Sequence, residues 1–215
     1  MTTLQTLADS LKNCQRCKLA KLGRSQVVFG VGNPNASIMF VGEAPGFHED
    51  KQGEPFVGAA GKLLTDLLQS AGLSRAEVYI ANVIKCRPPN NRDPEQDEVE
   101  TCKPFLMQQI EMIQPKLVCT LGNWATQTIL EKKVGITKVR AQAFRQEKFV
   151  VFPLLHPAAA LHQGNLLETL RQDFKKLKEY LDRMTAPPEA GPTPLASSHP
   201  MPPEPPQIQM DLFGA

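Results

Sequence analysis

The stretch SIMFVGEAPG at residues 37–46 sets the architecture, because an apolar run passes directly into a turn of two glycines and a proline. A short apolar run bounded by turn residues is typical of a strand buried on both faces of a parallel sheet. Similar runs lie at 78–84, 117–121 and 149–155, and helical patterns lie at 59–71, 94–113, 123–132 and 165–184. This alternation predicts an α/β protein, a three-layer α/β/α sandwich with a central, mostly parallel sheet.

Local signals predict where several helices begin. Residues 2–13 carry apolar side chains at helical spacing, so a helix should end just before Cys14. Asp93 followed by Pro94 is typical of an N-cap and a first helical residue. Ser74 and Glu77 have the spacing of a capping box, which predicts a further helix start.

Three loops are expected to share one crevice. The turn GEAPG follows the first strand, Asn82 lies near the end of the second, and HPAAAL at 156–161 follows the last. Ligands of such sheets bind beyond the carboxyl ends of the strands. The sequence therefore predicts one binding site at that edge.

Four cysteines form a C-x2-C pair, Cys14 and Cys17, and a C-x15-C pair, Cys86 and Cys102. Two such pairs can close on one four-thiolate centre, and this spacing alone suits zinc as well as an iron–sulfur cluster. The N-terminus lacks the features of a signal peptide, so we expect a cytoplasmic protein with metal ligands rather than disulfides. Cys119 lies in an apolar run and is expected to be a core residue.

The composition excludes a membrane protein, since no apolar run approaches the ~20 residues needed to span a bilayer. Hydrophobic residues make up 41% of the chain and charged residues 21%, as in a globular protein. The net charge is +2, but residues 1–184 carry 24 basic and 19 acidic residues, a balance of +5. That balance is compatible with a phosphate-binding face, and a solvated mixed surface explains it equally well.

Four side chains in the predicted crevice suggest chemistry, although each has a structural explanation too. Glu43 lies inside the GEAPG turn, where a carboxylate can orient water. Phe56, among small residues, can offer its face to a flat ring or simply belong to the core. Asn82 presents a donor beside an acceptor, which matches the edge of a base. His156 ends a strand, and a lone histidine there is more often structural.

Taken together, the motifs G-E-A-P-G, F-V-G-x-A-G-K, N-x-x-K-C-R-P-P and H-P-A-A-x-L closely resemble the family 4 uracil-DNA glycosylases, the iron–sulfur branch of that superfamily. The resemblance runs from about Leu4 to Tyr180, in the same order and spacing. It implies an enzyme of base excision repair that flips uracil out of DNA and hydrolyses its N-glycosidic bond. A relative that captures uracil covalently carries a basic insert where CRPPNNRDP stands here, so the hydrolytic branch is the better match.

The resemblance also implies roles for individual residues. The cysteines of the two pairs would hold a [4Fe–4S] cluster, with zinc the less favoured occupant. Phe56 would stack on the flipped base and Asn82 would read its N3–O4 edge. His156 and backbone amides near Gly42 would stabilise the departing uracil anion. Glu43 would position water or support the sugar cation, and Glu49 is the competing acid.

Further positions are expected to contact uracil-containing DNA, single- or double-stranded. Residues 46–50 would exclude the methyl group of thymine, and Leu161 would wedge into the gap that the flipped base leaves. Phosphate contacts are expected from four basic residues, Lys62, Lys85, Arg87 and Arg92.

The domain organisation is predicted to be a glycosylase domain at 1–184 followed by a disordered tail at 185–215. The tail holds nine of the 19 prolines and no Lys or Arg. It ends in a pentapeptide that looks like the bacterial sliding-clamp-binding motif, with Met in place of its usual Leu: Gln209, Met210, Asp211, Leu212 and Phe213. The resemblance implies the replication clamp as a partner.

Three alternatives remain at this stage. They are a non-catalytic nucleic-acid-binding module of the same fold, an iron–sulfur electron carrier, and a zinc-stabilised hydrolase of other substrates. The presence of Glu43, Asn82 and His156 argues against the first. No flavin or docking signature supports the second.

Overall fold

A computed structural model describes residues 3–185. Six strands form one sheet: β1 Val31–Gly32, β2 Ile38–Gly42, β3 Tyr79–Asn82, β4 Leu117–Leu121, β5 Phe144–Arg145 and β6 Val150–Leu154. Eight α-helices accompany them: α1 Leu4–Leu11, α2 Phe47–Gln52, α3 Ala59–Ser70, α4 Gln96–Ile113, α5 Gly122–Leu130, α6 Ile136–Val139, α7 Pro157–His162 and α8 Asn165–Thr185. Two short 3-10 helices lie at Lys18–Lys21 and Pro89–Asn91. Four strands and four helices match the sequence-based expectations to within about two residues at most ends.

The sheet has the order β1-β3-β2-β4-β6-β5. The four central strands are parallel, while β1 and β5 pair antiparallel at the two edges. The prediction of a central, mostly parallel sheet is therefore confirmed. The edge strands were not predicted, because each has only two residues and cannot carry a period-two pattern.

Helices cover both faces of the sheet, which confirms the three-layer sandwich. On one face, Phe40 and Phe152 pack against α3 and α8, and the rings of Phe40 and Phe174 stack with centroids 6.3 Å apart. On the other face, Met39 and Val118 pack against α4 and α5. Burial of each such side chain contributes about 1.5–3 kcal/mol. Cys119 is completely buried in the core, as expected.

Two predicted helix starts were wrong. The helix α4 begins after Glu95, not after Asp93, because the Glu95 and Glu98 side chains form a reciprocal capping box. Arg92 strengthens this start with two hydrogen bonds to Glu98, of 2.9 and 2.7 Å. Ser74 does donate to Glu77 through its backbone N–H and its hydroxyl, but the chain runs on into β3 instead of forming a helix.

The N-terminal helix leads to the cysteine pairs. Thr3 and Thr6 cap α1, and Leu7 and Leu11 pack against Phe105 of α4. Among residues 3–185, no helix is long and apolar enough to cross a membrane. The predicted tail and its clamp-binding pentapeptide lie outside the described residues, apart from Thr185 at the end of α8.

Candidate active site

A cavity of about 450 Å³ opens at the carboxyl edge of the parallel strands. It lies where the sequence placed the crevice, and residues of the GEAPG turn, the end of β3 and the start of α7 line it together. The side chains brought together there are those of Glu43, Glu49, Phe56, Asn82 and His156. The chain order separates them by up to 113 positions, so only the parallel sheet makes them neighbours.

Asn82 lines this cavity, and its direct register partner on the neighbouring strand β2 is Gly42. A Cβ atom at Gly42 would lie 2.6 Å from Cζ of Phe56 and would also strike Oδ1 of Asn82. The backbone of Gly42 has no left-handed conformation, so glycine is needed here for space alone. The absence of a side chain lets the Asn82 amide and the Phe56 ring approach the same point.

Asn82 has an unsatisfied acceptor. Its side chain is only 2% exposed, and no group within the described residues donates a hydrogen bond to its Oδ1 atom. An unpaired buried polar atom costs about 1–3 kcal/mol. Such an atom on the floor of a cavity is expected where a ligand supplies the missing donor.

The Phe56 ring is held in an unusual backbone conformation. Phe56 has φ of 56°, which is costly for a bulky residue, yet the ring is buried and lies 5.6 Å from the ring of His156. Gly61 leaves room for this, because a Cβ there would strike the Phe56 carbonyl and lie 2.8 Å from its Cα. Arg75 donates to the carbonyls of Pro55 and Phe56, at 3.0 and 3.2 Å.

Glu49 anchors the same loop from the opposite side. Its Oε1 atom accepts from the backbone N–H groups of Val57 and Gly58, at 3.0 and 2.9 Å. Its carboxylate also contributes an electrostatic attraction that favours the protonated form of His156. Much of the hydrogen-bonding capacity of Glu49 is therefore used to fix the loop that carries Phe56.

His156 is neutral, with a defined tautomer. The backbone N–H of Ala158 donates to Nδ1 at 3.2 Å, so the ring proton lies on Nε2. Burial lowers the pKa of His156 to about 4, which outweighs the opposing effect of Glu49. Gly122, with φ of 88°, allows the close approach, since a Cβ there would lie 3.1 Å from the His156 Cβ.

Glu43 is half-buried in the wall of the cavity, and the pKa of its carboxyl group is raised. Burial raises its pKa to about 7, and the nearby charge of Asp93 adds to the shift. Among residues 3–185, no group donates a hydrogen bond to its carboxylate side chain. Glu43 can therefore gain and lose a proton near neutral pH. Sequence reasoning missed the role of Asp93, which it treated as a helix cap.

The four cysteines of the two pairs line one small cavity next to the active-site strand β3. Arg24 donates to Sγ of Cys86 at 2.8 Å, and the backbone N–H of Lys85 donates to Sγ of Cys102 at 3.3 Å. Donors of this kind stabilise thiolate ligands, so the residues fit a thiolate-bound centre. Within residues 3–185, no group of three or more His, Cys, Asp or Glu side chains is arranged so that it could hold a metal ion.

Of the four predicted phosphate contacts, three are at least partly exposed and the fourth, Lys85, is buried. Lys62 is exposed at the start of α3. Arg87 is half-buried, bonds Asn91 at 2.7 Å and lies 5.0 Å from the exposed Phe47 ring. Arg92 lines the cavity while paired with Glu98. The predicted wedge, Leu161, is 50% exposed at the end of α7.

Lys85 does not fit the predicted phosphate contact, because its side chain is buried. Its Nζ donates to the backbone carbonyl of Asn82 at 2.8 Å and to Oε1 of Gln109 at 2.5 Å. Gln109 in turn donates to the carbonyl of Phe29 at 3.0 Å. Lys85 thus supports the strand end that carries Asn82. No sequence signal separated it from the half-buried Arg87 two positions later.

Comparison with known proteins identifies the family of this chain. The model of the Uracil DNA glycosylase superfamily matches residues 29–182. The Type-4 uracil-DNA glycosylase of Sulfurisphaera tokodaii is 49% identical over 188 residues, covering 83% of this chain and 85% of that protein. The enzyme of the same name from Saccharolobus solfataricus is 48% identical, covering 84% of this chain and 88% of that protein. The one from Archaeoglobus fulgidus is 46% identical, with 83% and 94% covered. The chain therefore belongs to the type-4 uracil-DNA glycosylases of the uracil-DNA glycosylase superfamily.

Proposed function

We propose that this uracil-DNA glycosylase receives the flipped uracil in the cavity between Phe56 and Asn82 and hydrolyses its N-glycosidic bond there. The unsatisfied Oδ1 of Asn82 carries the proposal, because it is a buried acceptor on the floor of the cavity. Uracil N3–H is the donor that such an acceptor lacks. The side-chain amide of Asn82 offers a donor that suits the neighbouring uracil O4.

The same pairing accounts for discrimination against cytosine. Cytosine presents an acceptor at N3 and a donor at N4, the reverse of uracil. In a buried site the mispaired groups lose their hydrogen bonds, and such a site can reject an analogue by about 10⁴-fold or more. Residues 46–50 stand at the mouth of the cavity through Gly46 and Glu49, and we assign the exclusion of the thymine methyl group to this segment.

His156 stabilises the leaving group in this mechanism. Cleavage leaves negative charge on uracil O2, and the Nε2–H of His156 is a fixed donor for it, since Nδ1 is occupied by the Ala158 N–H. Removal of one such donor typically lowers the rate by about 10²–10³-fold. Backbone amides near Gly42 would support the same anion.

Glu43 rather than Glu49 handles the attacking water and the sugar cation. The Glu49 carboxylate is bound to two loop amides, while the Glu43 carboxylate is free to bond a water in the cavity. A base with a pKa near the working pH is suited to proton transfer, and the pKa of Glu43 is raised to about 7. Glu49 then contributes to catalysis only by positioning the loop of Phe56.

DNA would lie across the rim of the cavity. Lys62, Arg87 and Arg92 would contact phosphates, and Leu161 would enter the base stack at the gap left by the flipped uracil. Unstacking a base costs a few kcal/mol, and the apolar wedge offsets part of that cost.

The two cysteine pairs would hold a [4Fe–4S] cluster with a structural role. When bound, the cluster cross-links the end of α1 to the 86–102 segment and supplies no step of the hydrolysis. The N–H donors from Arg24 and Lys85 to cysteine sulfurs support a thiolate-bound centre. Iron and zinc analysis with an absorption spectrum of anaerobically purified protein distinguishes the two occupants. The substitution Cys86→Ala should lower stability and DNA binding more than base selectivity.

Residues 185–215 would tether this domain, through the pentapeptide at 209–213, to the replication clamp in the cytoplasm. A peptide of residues 205–215 tests this directly. It should bind the clamp, and Leu212→Ala with Phe213→Ala should abolish binding. Equal affinity of the two peptides would remove the proposal.

The decisive experiment is uracil release. The protein is incubated with an oligonucleotide that carries one uracil, beside its thymine twin, and alkali-labile abasic sites are measured. Cleavage of the uracil strand alone is expected. A protein that binds the DNA with an intact metal centre but releases no uracil would instead be a non-catalytic binding module.

A further inference from the structure

Arg75 lies outside the recognised motifs and directly contacts the proposed base-stacking loop. It lies in the turn between α3 and β3, a segment that contributes nothing to the lining of the active-site cavity. Its guanidinium is half-buried and donates to two successive carbonyls, those of Pro55 and Phe56. A guanidinium presents donors in a rigid planar fork, so this pair of bonds fixes position as well as distance.

The loop needs such a restraint. Phe56 has a left-handed backbone, which a bulky residue retains only where the surroundings over-determine it. The surroundings do so from two sides: Glu49 binds the amides of Val57 and Gly58, and Arg75 binds the carbonyls just before them. The loop is therefore held at four consecutive residues by two side chains of opposite charge.

The orientation of the Phe56 ring depends on this backbone. The ring lines the cavity, lies against Gly42 and is tilted by 31° to the ring of His156. A rotation of the Phe56 backbone towards an ordinary conformation would swing the ring away from both. Partial burial lowers the pKa of the Arg75 guanidinium, and the nearby charge of Glu54 opposes that shift. An arginine side chain stays protonated in proteins, so both donors remain available.

We propose that Arg75 is a positioning residue for uracil recognition: by clamping the carbonyls of Pro55 and Phe56, it holds the Phe56 ring in the plane on which the flipped base stacks. The inference rests on the proposed stacking role of Phe56. Arg75 does not touch the base itself, so its effect passes entirely through Phe56.

The test compares Arg75→Ala, Phe56→Ala and the double variant in the full-length protein with its metal centre intact. Single-turnover uracil excision is measured. Affinity is measured for two DNAs, one with an uncleavable 2′-fluorinated deoxyuridine and one with an abasic-site analogue that offers no base to stack. Glu77→Ala is the matched control, because Glu77 stabilises the same turn through Ser74 without contacting the loop.

Arg75→Ala should slow excision by about 10- to 100-fold, as misplacement of a binding group by about 1 Å does. It should weaken binding of the uracil analogue and leave binding of the abasic analogue unchanged. The double variant should be no slower than Phe56→Ala, and Arg75→Lys should be intermediate. The control should behave as the unaltered protein.

Other results overturn the inference in distinguishable ways. If Phe56→Ala is impaired but Arg75→Ala is not, the proposed function stands and the positioning role fails. If the two effects multiply in the double variant, Arg75 acts elsewhere and the inference is wrong. If Phe56→Ala itself excises uracil normally, the stacking role is refuted. Should Arg75→Ala fail to fold, Arg75→Gln is judged by the same criteria.

Discussion

The substitution Gly42→Ala should close the active site without unfolding the protein. The added Cβ would lie 2.6 Å from Cζ of Phe56, which lines the cavity. Carbon atoms in contact are normally about 3.5–4.0 Å apart, so the ring must move by about 1 Å. The same methyl group would strike the amide oxygen of Asn82. Both residues that bind uracil in our proposal are therefore displaced by one methyl group.

The size of the expected loss of activity follows from that displacement. Misplacing a binding group by about 1 Å lowers activity by about 10²-fold, so we expect a loss of this size in kcat/KM for uracil excision. Overpacking costs about 1–3 kcal/mol, which in a domain of this size lowers Tm by about 2–12 °C. The assay is uracil release from an oligonucleotide, with Tm measured by circular dichroism on the same preparation.

The matched control is Gly164→Ala. Gly164 has no heavy atom within 4 Å of its added Cβ and no left-handed backbone, so activity and Tm should be unchanged. Full activity of Gly42→Ala at an unchanged Tm would refute the close packing of Phe56 and Asn82 on Gly42. Loss of activity together with global unfolding would also contradict the prediction.

Three further results are expected. The single-turnover rate of uracil excision should rise with pH through about 7 and then level off, because burial holds Glu43 protonated below that pH. Glu43→Gln should abolish this rise, and a pH profile of the variant that keeps it would contradict the role assigned to Glu43. Asn82→Ala should abolish uracil excision yet lower the free energy of unfolding by less than about 1 kcal/mol in a denaturant titration, since its Oδ1 has no partner to lose. A much larger loss of stability would show a structural role for Asn82. Lys85→Met should lower the free energy of unfolding by about 1–3 kcal/mol, because it leaves the acceptor of Gln109 unpaired, but it should not change the salt dependence of DNA binding. Lys62→Met should reduce the slope of that salt dependence by about 1 at unchanged stability, and the reverse pattern would overturn the placement of both lysines.

The pH prediction has a counterpart in stability. The folded state raises the pKa of the Glu43 carboxyl to about 7 from an ordinary value of 4.5. Its contribution to stability is therefore fully present below about 4.5 and is lost as the pH rises through about 7. His156 has the opposite sign: its pKa is lowered to about 4, so its contribution is present above about 6.5 and is lost as the pH falls through about 4.

The residue pattern was sufficient to predict the central strands, the main helices and the convergence of three loops. Strand alternation with helices leaves few arrangements, and parallel strands must present their carboxyl ends at one edge. The identities of Glu43, Phe56, Asn82 and His156 were also available from motifs, because a chemical role depends on residue type and order along the chain.

Only the tertiary structure decided which of two chemically similar residues supports the fold and which stays available to a ligand. Lys85 and Arg87 are two positions apart and both basic, yet burial against Gln109 makes the first a structural donor. Glu43 and Glu49 are both acids near the GEAPG turn, but only Glu49 meets the amides of Val57 and Gly58. Burial, long-range hydrogen bonds and pKa shifts depend on groups distant in the chain. The position of Arg75 under Phe56 is a property of the folded packing, and no local pattern encodes it.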